Sequence, residues 1–408
     1  MEIITDKITF GGKSLGKING KNVFIPYAIP GETYEVELTE SKRDYDECRI
    51  TKIIKESPHR VIPPCPFYGK CGGCNMMHID YEYQKELRKQ ILVDIFNQNN
   101  IEIASKTEII YGPNLNYRAR FQLNNGGLSE KKSNNIIPIN KCLCAEKVIN
   151  EYLETTPFEK RSKGRVHIFG SSFVTHNGQN DTKLAISIQE DQKNQPKIIG
   201  KGKIKNLKIK ENKYFQGTVD SPENSITVKI NNKLLSFDVR GFFQSNLFVF
   251  EKVIKLIMDL LPGGKNILDM YAGCGSISSF LTEKYENVVL VEHNRDAIVY
   301  AEKNLAEKKH VSYGLSGANW VKNCASYCGT FDACVVDPPR SGMEKEVSDY
   351  LCKSKIPLIL SLSCDPTTQG RDAAKLLRNG YELKQMYLLD FYPNTSHIES
   401  LGVFILKS

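Results

Sequence analysis

Short runs of alternating hydrophobic and polar residues fill residues 1–56 of the chain. Glycine and proline pairs such as Gly11-Gly12 and Pro30-Gly31 separate these runs. Alternation with a period of two is typical of half-buried β-strands, and turn residues at such short intervals are typical of a small barrel. We therefore predict an all-β domain over this stretch. Its predicted strands are Lys7–Phe10, Asn22–Ile25, Thr33–Leu38 and Cys48–Ile54.

The pattern becomes mixed over residues 57–235, which we predict to form a β-rich central domain. Hydrophobic residues recur at helical spacing over Tyr81–Asn97 and predict an amphipathic helix there. Strand-like stretches follow at Val166–Phe169 and Lys183–Ile188. A later stretch, Lys193–Lys213, holds eight lysines and a single acidic residue. It is either a solvated hairpin surface or a strip that contacts nucleic-acid phosphates.

Apolar strand candidates alternate with helical stretches over residues 236–408. This alternation predicts a doubly wound α/β domain. The predicted strands are Asn266–Met270, Val288–Glu292, Ala333–Asp337, Leu358–Ser363, Tyr381–Phe391 and Val403–Leu406. The predicted helices are Ser278–Lys284, Arg295–Lys308, Glu344–Lys353 and Thr368–Leu377. Ligands of such sheets bind beyond the carboxyl ends of the strands, so the residues that follow these strands are the candidates for function.

The composition describes an ordinary globular protein, with 408 residues, 40% hydrophobic and 25% charged. No stretch approaches the run of about 18 apolar residues that a membrane helix requires. The amino terminus lacks the basic and apolar regions of a signal peptide, so we expect a cytoplasmic protein. A formal net charge of +8 permits a polyanionic partner.

Twelve cysteines are too dilute for a disulfide scaffold and indicate metal binding or thiol chemistry. Cys65, Cys71 and Cys74 lie close together, and Gly72-Gly73 between the last two allows a tight ligand loop. Cys142 or Cys144 can supply a fourth thiolate. The spacing leaves both zinc and an iron–sulfur cluster open.

A glycine loop follows the first predicted strand of the C-terminal region. The sequence ILDMYAGCGSIS places Gly273 and Gly275 between a strand and a helix, where glycine lets the backbone approach a ligand closely. A dinucleotide fingerprint would have a third glycine where this chain has Ser278. Glu292 closes the next strand, where a carboxylate can accept hydrogen bonds from both ribose hydroxyls. The pattern resembles the S-adenosylmethionine site of Rossmann-type methyltransferases.

Four further motifs carry candidate chemistry. The sequence VVDPPRSGM ends a strand with Asp337 and two prolines that stiffen the following loop. Cys364, in LILSLSCDP, stands at the carboxyl end of the next strand and is either a buried structural thiol or a nucleophile. FYPNTSHIES supplies His397 and Glu399 beside the last strand. Gln244, in GFFQSN, can hydrogen-bond a cofactor or a base.

Taken together and in order, these motifs resemble those of the RNA uracil-5-methyltransferases. The resembling segments are FFQSN, DMYAGCGS, VVDPPRSG, SCDP and FYPNTSHIE. In addition, VFIPYAIPGETYEVEL resembles the TRAM domain, an OB-like barrel of RNA-modifying enzymes. The resemblance implies a TRAM-like barrel over residues 1–56, a central iron–sulfur domain, and a Rossmann-like class I methyltransferase domain over residues 236–408.

The resemblance also implies roles for individual residues. Cys364 would be the nucleophile and Glu399 the general base. S-adenosylmethionine would be held by the glycine loop and four side chains, namely Gly273, Gln244, Tyr271, Glu292 and Asp337. A [4Fe–4S] cluster would be held by Cys65, Cys71, Cys74 and Cys142, with Cys144 as the alternative fourth ligand.

The chemistry of uracil explains why these residue types are needed. C5 of uracil is a poor nucleophile toward a sulfonium methyl group. Addition of a thiolate at C6 creates an enolate with electron density at C5, which replaces one difficult step by two easier ones. A base then removes the C5 proton and the thiol is eliminated. Because a stacked ring is out of reach, the target base must be flipped out or lie in a loop.

The partner expected from the resemblance is RNA, and we expect the enzyme to be a monomer. Tyr117, Arg118 and Arg120, in NYRARF, suit contacts with RNA, and the alternative is that the arginines form ordinary salt bridges on the surface. Gly317 stands where members of the family often have an acid or an asparagine near the adenine. We expect ribosomal RNA, in particular 23S rRNA, as the substrate, with transfer RNA as the alternative.

Two other functions compete with this interpretation. An enzyme that methylates amino groups of adenine or guanine would need no nucleophilic cysteine, and Arg340 follows the two prolines where such enzymes have an aromatic residue. A non-catalytic iron–sulfur RNA-binding protein would have no reason to keep both Cys364 and Glu399.

Overall fold

A computed structural model describes residues 1–176, 179–180, 184–189 and 225–407. The lysine-rich stretch Lys193–Lys213 lies outside the described residues, so its predicted contact with phosphates stays a prediction.

A closed β-barrel forms the amino-terminal part of the protein. Its strands are β1 (Glu2–Ile8), β2 (Lys13–Ile18), β3 (Lys21–Pro26), β4 (Thr33–Ser41) and β5 (Tyr45–Lys55). They pair in the order β1-β2-β3-β5-β4, and β4 closes the barrel by pairing with β1. The OB-like barrel is thereby confirmed. The predicted strand at Lys7–Phe10 is displaced, because β1 ends at Ile8 and a turn follows.

Strand β2 was not predicted from the sequence, and its residue Gly16 packs tightly against β1. A Cβ at this position would lie 2.6 Å from the carbonyl oxygen of Ile4. A glycine inside a run usually indicates a turn, but here it allows two strands to approach each other closely.

The central region contains short strands and two helices. The elements are α1 (Tyr81–Asn97), β6 (Thr107–Ile110), β7 (Arg120–Asn124), β8 (Leu128–Ser129), β9 (Ile136–Ile137), α2 (Lys147–Thr155), β10 (Arg165–Phe169), β11 (Thr175–His176), β12 (Gln179–Asn180), β13 (Ala185–Gln189), β14 (Ser225–Ile230) and β15 (Lys233–Asp238). Within the described ranges, β13, β10 and β7 form an antiparallel sheet. The pairs β8-β9, β11-β12 and β14-β15 are antiparallel too.

The C-terminal region alternates strands and helices as predicted. Its elements are α3 (Leu247–Leu260), β16 (Gly264–Met270), α4 (Ser278–Leu281), β17 (Tyr285–Val291), α5 (Arg295–Asn304), β18 (His310–Tyr313), α6 (Gly317–Asn323), β19 (Ala333–Val336), α7 (Lys345–Ser354), β20 (Leu358–Ser363), α8 (Pro366–Arg378), β21 (Tyr381–Leu389) and β22 (Glu399–Leu406). The strands belong to one sheet of order β18-β17-β16-β19-β20-β22-β21-β6. Strand β22 alone runs antiparallel to its neighbours in the described part of this sheet. The Rossmann-like α/β fold is confirmed.

Two elements of the central stretch pack with this C-terminal sheet. Strand β6 pairs in parallel with β21 at its edge. Helix α1, which matches its predicted bounds, shares a hydrophobic core with the sheet. Arg88 on α1 makes a buried ion pair with Asp390, at 2.9 Å between Nη2 and Oδ2, and the hydroxyl of Tyr81 donates to the same oxygen at 2.7 Å. Residues 81–110 are therefore held by the C-terminal domain.

No helix in the described ranges is both long enough and apolar enough to cross a membrane.

The pair Arg88–Asp390 provides a test of how α1 is attached. Replacing Arg88→Ala should lower the free energy of unfolding by about 3–5 kcal/mol, because Asp390 would be left buried without a counter-charge. The single tryptophan, Trp320, is buried in the core shared with α1, so its fluorescence reports denaturant unfolding of this domain.

The matched control is Lys255→Ala, which removes an exposed pair with Asp259 and should cost about 0.5 kcal/mol or less. Equal small losses in the two variants would show that the buried pair does not hold the helix.

Candidate functional site

The candidate residues meet at one edge of the C-terminal sheet. Strands β16, β17, β19 and β20 are parallel, so their carboxyl ends lie side by side. Strand β22 runs the other way and begins at this edge with Glu399. Ser363 pairs with Ser400, so the next residues outward on the two strands are Cys364 and Glu399. Residues paired across strands share a face of the sheet, and the thiol and the carboxyl are therefore neighbours.

Local sequence explains how Cys364 is held in this place. The following Asp365 caps helix α8, and its Oδ1 accepts a hydrogen bond from the Thr367 N–H at 2.8 Å. Pro366 occupies the first turn of α8, where a missing N–H costs nothing. The motif SCDP thus ends a strand, exposes a thiol and starts a helix within four residues.

A small cavity of about 50 Å³ lies beside these residues. Four of the five residues predicted to hold the cofactor line it, namely Gln244, Tyr271, Gly273 and Asp337. The Oε1 atom of Gln244 is buried and, within the described structure, accepts no hydrogen bond. A buried acceptor without a partner is costly unless a ligand satisfies it. The cavity therefore offers an unused acceptor beside the glycine loop.

The loop that places Gln244 at the cavity is anchored by Asn246, two residues later in the chain. Asn246 caps helix α3 by accepting a hydrogen bond from the Val249 N–H. The amide group of Asn246 also donates to the carbonyl oxygen of Phe391 at 3.3 Å. The motif GFFQSN is thus a helix start that is tied to the loop before β22.

Glu292, the fifth predicted cofactor residue, is buried beside the glycine loop rather than in the lining of the cavity. Its Oε2 accepts a hydrogen bond from the Gly273 N–H at 2.9 Å, and its Oε1 accepts one from the Asn294 N–H at 2.6 Å. Each carboxylate oxygen has further lone pairs for a ligand hydroxyl. The carboxylate therefore fixes the loop and stays available as an acceptor.

The two glycines of the loop have different reasons for being glycine. A Cβ at Gly275 would lie 2.7 Å from Cδ1 of Leu305, so a side chain would push helix α5 away. At Gly273, where φ is +57°, no described atom would come within 4 Å of a Cβ. Gly273 faces free space that a ligand can fill, and its backbone conformation disfavours other residues.

Two acids at this edge, the buried Asp269 and the half-buried Glu344, were not singled out from the sequence. Asp269, at the end of β16, accepts a hydrogen bond from the Ser278 hydroxyl, which explains why serine replaces the third glycine. Burial raises the pKa of Asp269 to about 7. Glu344 lies next to Gly317, where a Cβ would be 2.6 Å from its Oε2. An acid is therefore present near position 317 even though residue 317 is a glycine.

Burial and neighbouring charges raise the pKa values of the reactive groups in the free protein. The pKa of the Cys364 thiol is raised to about 11, chiefly by burial and in addition by the negative charges of the neighbouring Glu399 and Asp337. Burial also raises the pKa of Glu399 to about 8 and that of Asp337 to about 6. The guanidinium of Arg340 acts in the opposite direction on Cys364 and Glu399. His397, from the same motif as Glu399, is exposed.

The cysteines of the central region surround a second cavity, of about 430 Å³. Five thiols line it, those of Cys65, Cys71, Cys74, Cys142 and Cys144. The sulfur atoms of Cys74 and Cys144 are 3.7 Å apart. No three of these or other described ligand residues are arranged around the position of a single metal ion. The choice between Cys142 and Cys144 as a ligand stays open, because both thiols reach the cavity.

The expectation that Tyr117 contacts RNA is wrong, because this side chain is only 1% exposed. Its hydroxyl donates a hydrogen bond to the carbonyl oxygen of Pro393 at 3.0 Å, so it supports the loop before β22. Arg118 and Arg120 are partly exposed. Neither arginine makes an ion pair with a carboxylate of the described residues, and Arg118 donates from Nε to the carbonyl oxygen of Arg120 at 3.1 Å. Their contact with RNA stays a prediction.

Comparisons with known proteins agree with this geometry. The family model described as tRNA (Uracil-5-)-methyltransferase matches residues 323–408, and the model of the methyltransferase small domain matches residues 250–353. A protein of Treponema denticola named an uncharacterized RNA methyltransferase is 33% identical, over 98% of this chain and 98% of its own length. The 23S rRNA (uracil(1939)-C(5))-methyltransferase RlmD of Shewanella amazonensis is 28% identical, over 97% of this chain and 93% of its own.

A solved structure shares the complete fold. The tRNA (uracil-54, C5)-methyltransferase of Pyrococcus abyssi, in complex with S-adenosyl-L-homocysteine, superposes with a TM-score of 0.72 at 21% identity. The match covers 99% of this chain and all of that one. With the motifs at the carboxyl edge and a relative that is alike over its full length, the chain belongs to the RNA uracil-5-methyltransferase family.

Proposed function

We propose that this protein transfers a methyl group from S-adenosylmethionine to C5 of a uridine in 23S rRNA, by way of a covalent bond between Cys364 and C6. The observation that carries the proposal is the register of β20 and β22, in which Cys364 lies opposite Glu399 beside the glycine-loop cavity. The name of the Shewanella relative supports a ribosomal substrate. The name of the Pyrococcus structure keeps transfer RNA as the alternative.

The residues at the glycine loop fit the methyl donor. Glu292 offers carboxylate lone pairs to ribose hydroxyls, and Gln244 offers a buried acceptor without a partner. Asp337 lines the same cavity with a carboxyl that carries a negative charge above pH 6. A negative charge here favours a cationic sulfonium over its neutral product. S-adenosylmethionine supplies the electrophilic methyl group.

The side chains then divide the chemistry. The Cys364 thiol releases its proton to solvent, and the thiolate adds to C6, which moves the π electrons of the C5–C6 bond onto C5 and O4. C5 takes the methyl group, and the bond between the methyl carbon and the donor sulfur breaks, so that its electron pair stays on a neutral thioether. Glu399 removes the proton from C5, the electron pair of that bond re-forms the double bond, and the bond from sulfur to C6 breaks. The Arg340 cation favours both the thiolate and the carboxylate form.

Glu399 is suited to the base role because of its burial. A carboxyl with a pKa near 8 holds an abstracted proton more readily than an ordinary glutamate does. It also releases the proton again at the end of each cycle. An amino-group methyltransferase would have no use for a thiol and a carboxyl on facing strands, and this arrangement also argues against a non-catalytic protein.

We further propose a [4Fe–4S] cluster in the cysteine cavity, held by Cys65, Cys71, Cys74 and Cys142. Thiolates are the ligands that iron–sulfur clusters prefer. Five of them line one cavity without converging on a single ion position, and a four-iron cluster needs ligands that are spread more widely than those of one ion. The bound cluster would cross-link two distant loops of the central region.

The covalent mechanism predicts different outcomes when each of the two catalytic residues is replaced. Cys364→Ala should abolish methylation and give no adduct. Glu399→Gln should still add to C6 and accept the methyl group, and should then stall as a methylated protein–RNA complex that survives denaturing electrophoresis. RNA containing 5-fluorouridine should trap the unaltered enzyme at the same stage, because fluorine cannot leave as a proton does.

Cys352→Ala is the matched control, since it removes a buried thiol of the same domain from the helix α7. It should keep full activity. Comparing fragments of 23S rRNA with transfer RNA as substrates decides between the two classes of RNA. Turnover by Cys364→Ala, or the lack of an adduct between active enzyme and fluorinated RNA, would contradict the mechanism.

The raised pKa of Glu399 predicts that this residue reduces stability at alkaline pH. An unfolded glutamate has a pKa near 4.3, whereas the folded one has a pKa of about 8. Between these values the folded protein holds a proton that the unfolded chain has released, so stability falls as pH rises. The stability of Glu399→Gln relative to the unaltered protein should therefore rise by about 4 kcal/mol between pH 5 and pH 8.5, since each pH unit below the folded pKa contributes about 1.4 kcal/mol.

The difference is measured by Trp320 fluorescence in denaturant at several pH values. Glu382→Gln is the control, because Lys384 lowers the pKa of Glu382 and its removal should bring no such gain. A difference between Glu399→Gln and the unaltered protein that does not change with pH would show that Glu399 ionises freely.

The cluster is tested by its composition. Protein purified without oxygen should be brown and contain about four iron and four sulfide per chain. Cys142→Ser should lower both contents, whereas Cys144→Ser should leave them unchanged. Stoichiometric zinc without sulfide would overturn the cluster, and the reverse behaviour of the two variants would make Cys144 the ligand.

A further inference from the structure

The loop Phe391–Ile398, which we call the base loop, leads directly into Glu399. It is held from outside by the residue that follows Cys74. The N–H groups of Asn75 and Met76 donate to the carbonyl oxygen of Asn394, at 3.1 and 3.0 Å. These two bonds join the base loop to the backbone that directly follows Cys65–Cys74, a segment we call the cysteine loop.

The side chain of Asn75 makes a second pair of bonds with the base loop. Its Oδ1 accepts from the Ser396 N–H at 2.9 Å, and its Nδ2 donates to the Ser396 hydroxyl at 2.9 Å. The same Nδ2 lies 3.2 Å from the carbonyl oxygen of Gly11, in the first hairpin of the barrel. Asn75 therefore touches the barrel, the cysteine loop and the base loop at once.

Asn394 is fixed on its other sides as well. Its N–H donates to Oε1 of Gln84 at 3.0 Å, and its Nδ2 donates to the carbonyl oxygen of Asn114 at 2.7 Å. Its Nδ2 also lies 4.0 Å from the sulfur of Cys144. The base loop is thus held at Asn394 and Ser396, five and three residues before Glu399, and Asn394 approaches Cys144 in the wall of the cysteine cavity.

We propose that Asn75 is a positioning residue for the catalytic base and couples the cysteine cavity to Glu399. The inference rests on the proposed function, in which Glu399 removes the C5 proton. A loop that is free at its tip moves on the nanosecond to microsecond timescale, and a displacement of about 1 Å at a reacting group costs about 100-fold in rate. The bonds from Asn75 limit such movement.

The coupling explains why a cysteine site lies so close to a reaction that needs no electron transfer. Cys74 and Asn75 are adjacent in the chain, so a change in the position of Cys74 moves the partners of Asn394 and Ser396. The binding of a group to Cys74 would therefore shift the base loop by way of the peptide bond between Cys74 and Asn75. The glycine loop and Glu292 follow β16 and β17, which β19 and β20 separate from β22, so methyl donor binding should change less than the step that needs Glu399.

The test compares Asn75→Ala, Asn75→Asp and the control Asn135→Ala. Asn135 is an exposed asparagine of the central region that bonds only its own loop, at Glu130. Asn75→Ala should lower kcat about 10- to 100-fold with unchanged KM and unchanged affinity for S-adenosylhomocysteine. It should accumulate the methylated covalent complex, because only the step after methyl transfer needs Glu399. The Ser396 amide should exchange hydrogen faster.

Asn75→Asp keeps the acceptor for the Ser396 N–H and should recover most of the rate and of the protection of this amide. Asn135→Ala should behave like the unaltered protein. Normal kcat in Asn75→Ala, or a loss of kcat without the covalent complex, would overturn the positioning role. If the unaltered enzyme itself forms no adduct with fluorinated RNA, the proposed function fails, and Ser396 exchange still tests the contact alone.

Discussion

The antiparallel pairing of β22 with β20 is the constraint on which the site depends. In a sheet of parallel strands, only residues that follow strands reach the carboxyl edge. Because β22 runs in the opposite direction, its first residue, Glu399, lies at this edge too. Since Ser363 and Ser400 pair in the ladder, the distance between the thiol and the carboxyl is set by backbone hydrogen bonds of the core.

Several acidic side chains lie close together at the same edge, where their negative charges repel one another. Asp269 is buried and Asp337 and Glu399 are half-buried, and their pKa values rise to about 7, about 6 and about 8. Holding several carboxyls together costs folding free energy, which the surrounding hydrophobic sheet offsets. The arrangement suits a reaction in which a cation donates the methyl group and a carboxylate later takes a proton.

The base loop is held by contacts with residues that lie outside the C-terminal sheet. Helix α1 is bound to Asp390 by Arg88, and Tyr117 supports Pro393 from the central region. A tyrosine beside two arginines in sequence suggested an RNA surface, but burial against this loop gives Tyr117 a structural task. Strand β6 is too short to be predicted from its sequence. Its four residues, TEII, form a strand because they pair with β21.

The sequence was sufficient to predict the doubly wound fold, the barrel and the candidate site residues, because alternation of strands and helices and the short motifs after strands are local properties of the chain. Glycine, serine and proline positions in these motifs have local explanations, as Ser278 and Pro366 illustrate. Only the tertiary structure decided that Glu399 faces Cys364, that Glu344 fills the space at Gly317, and that Asn75 holds the base loop. These contacts join residues far apart in the chain, and no periodicity or spacing encodes which distant partner a side chain meets.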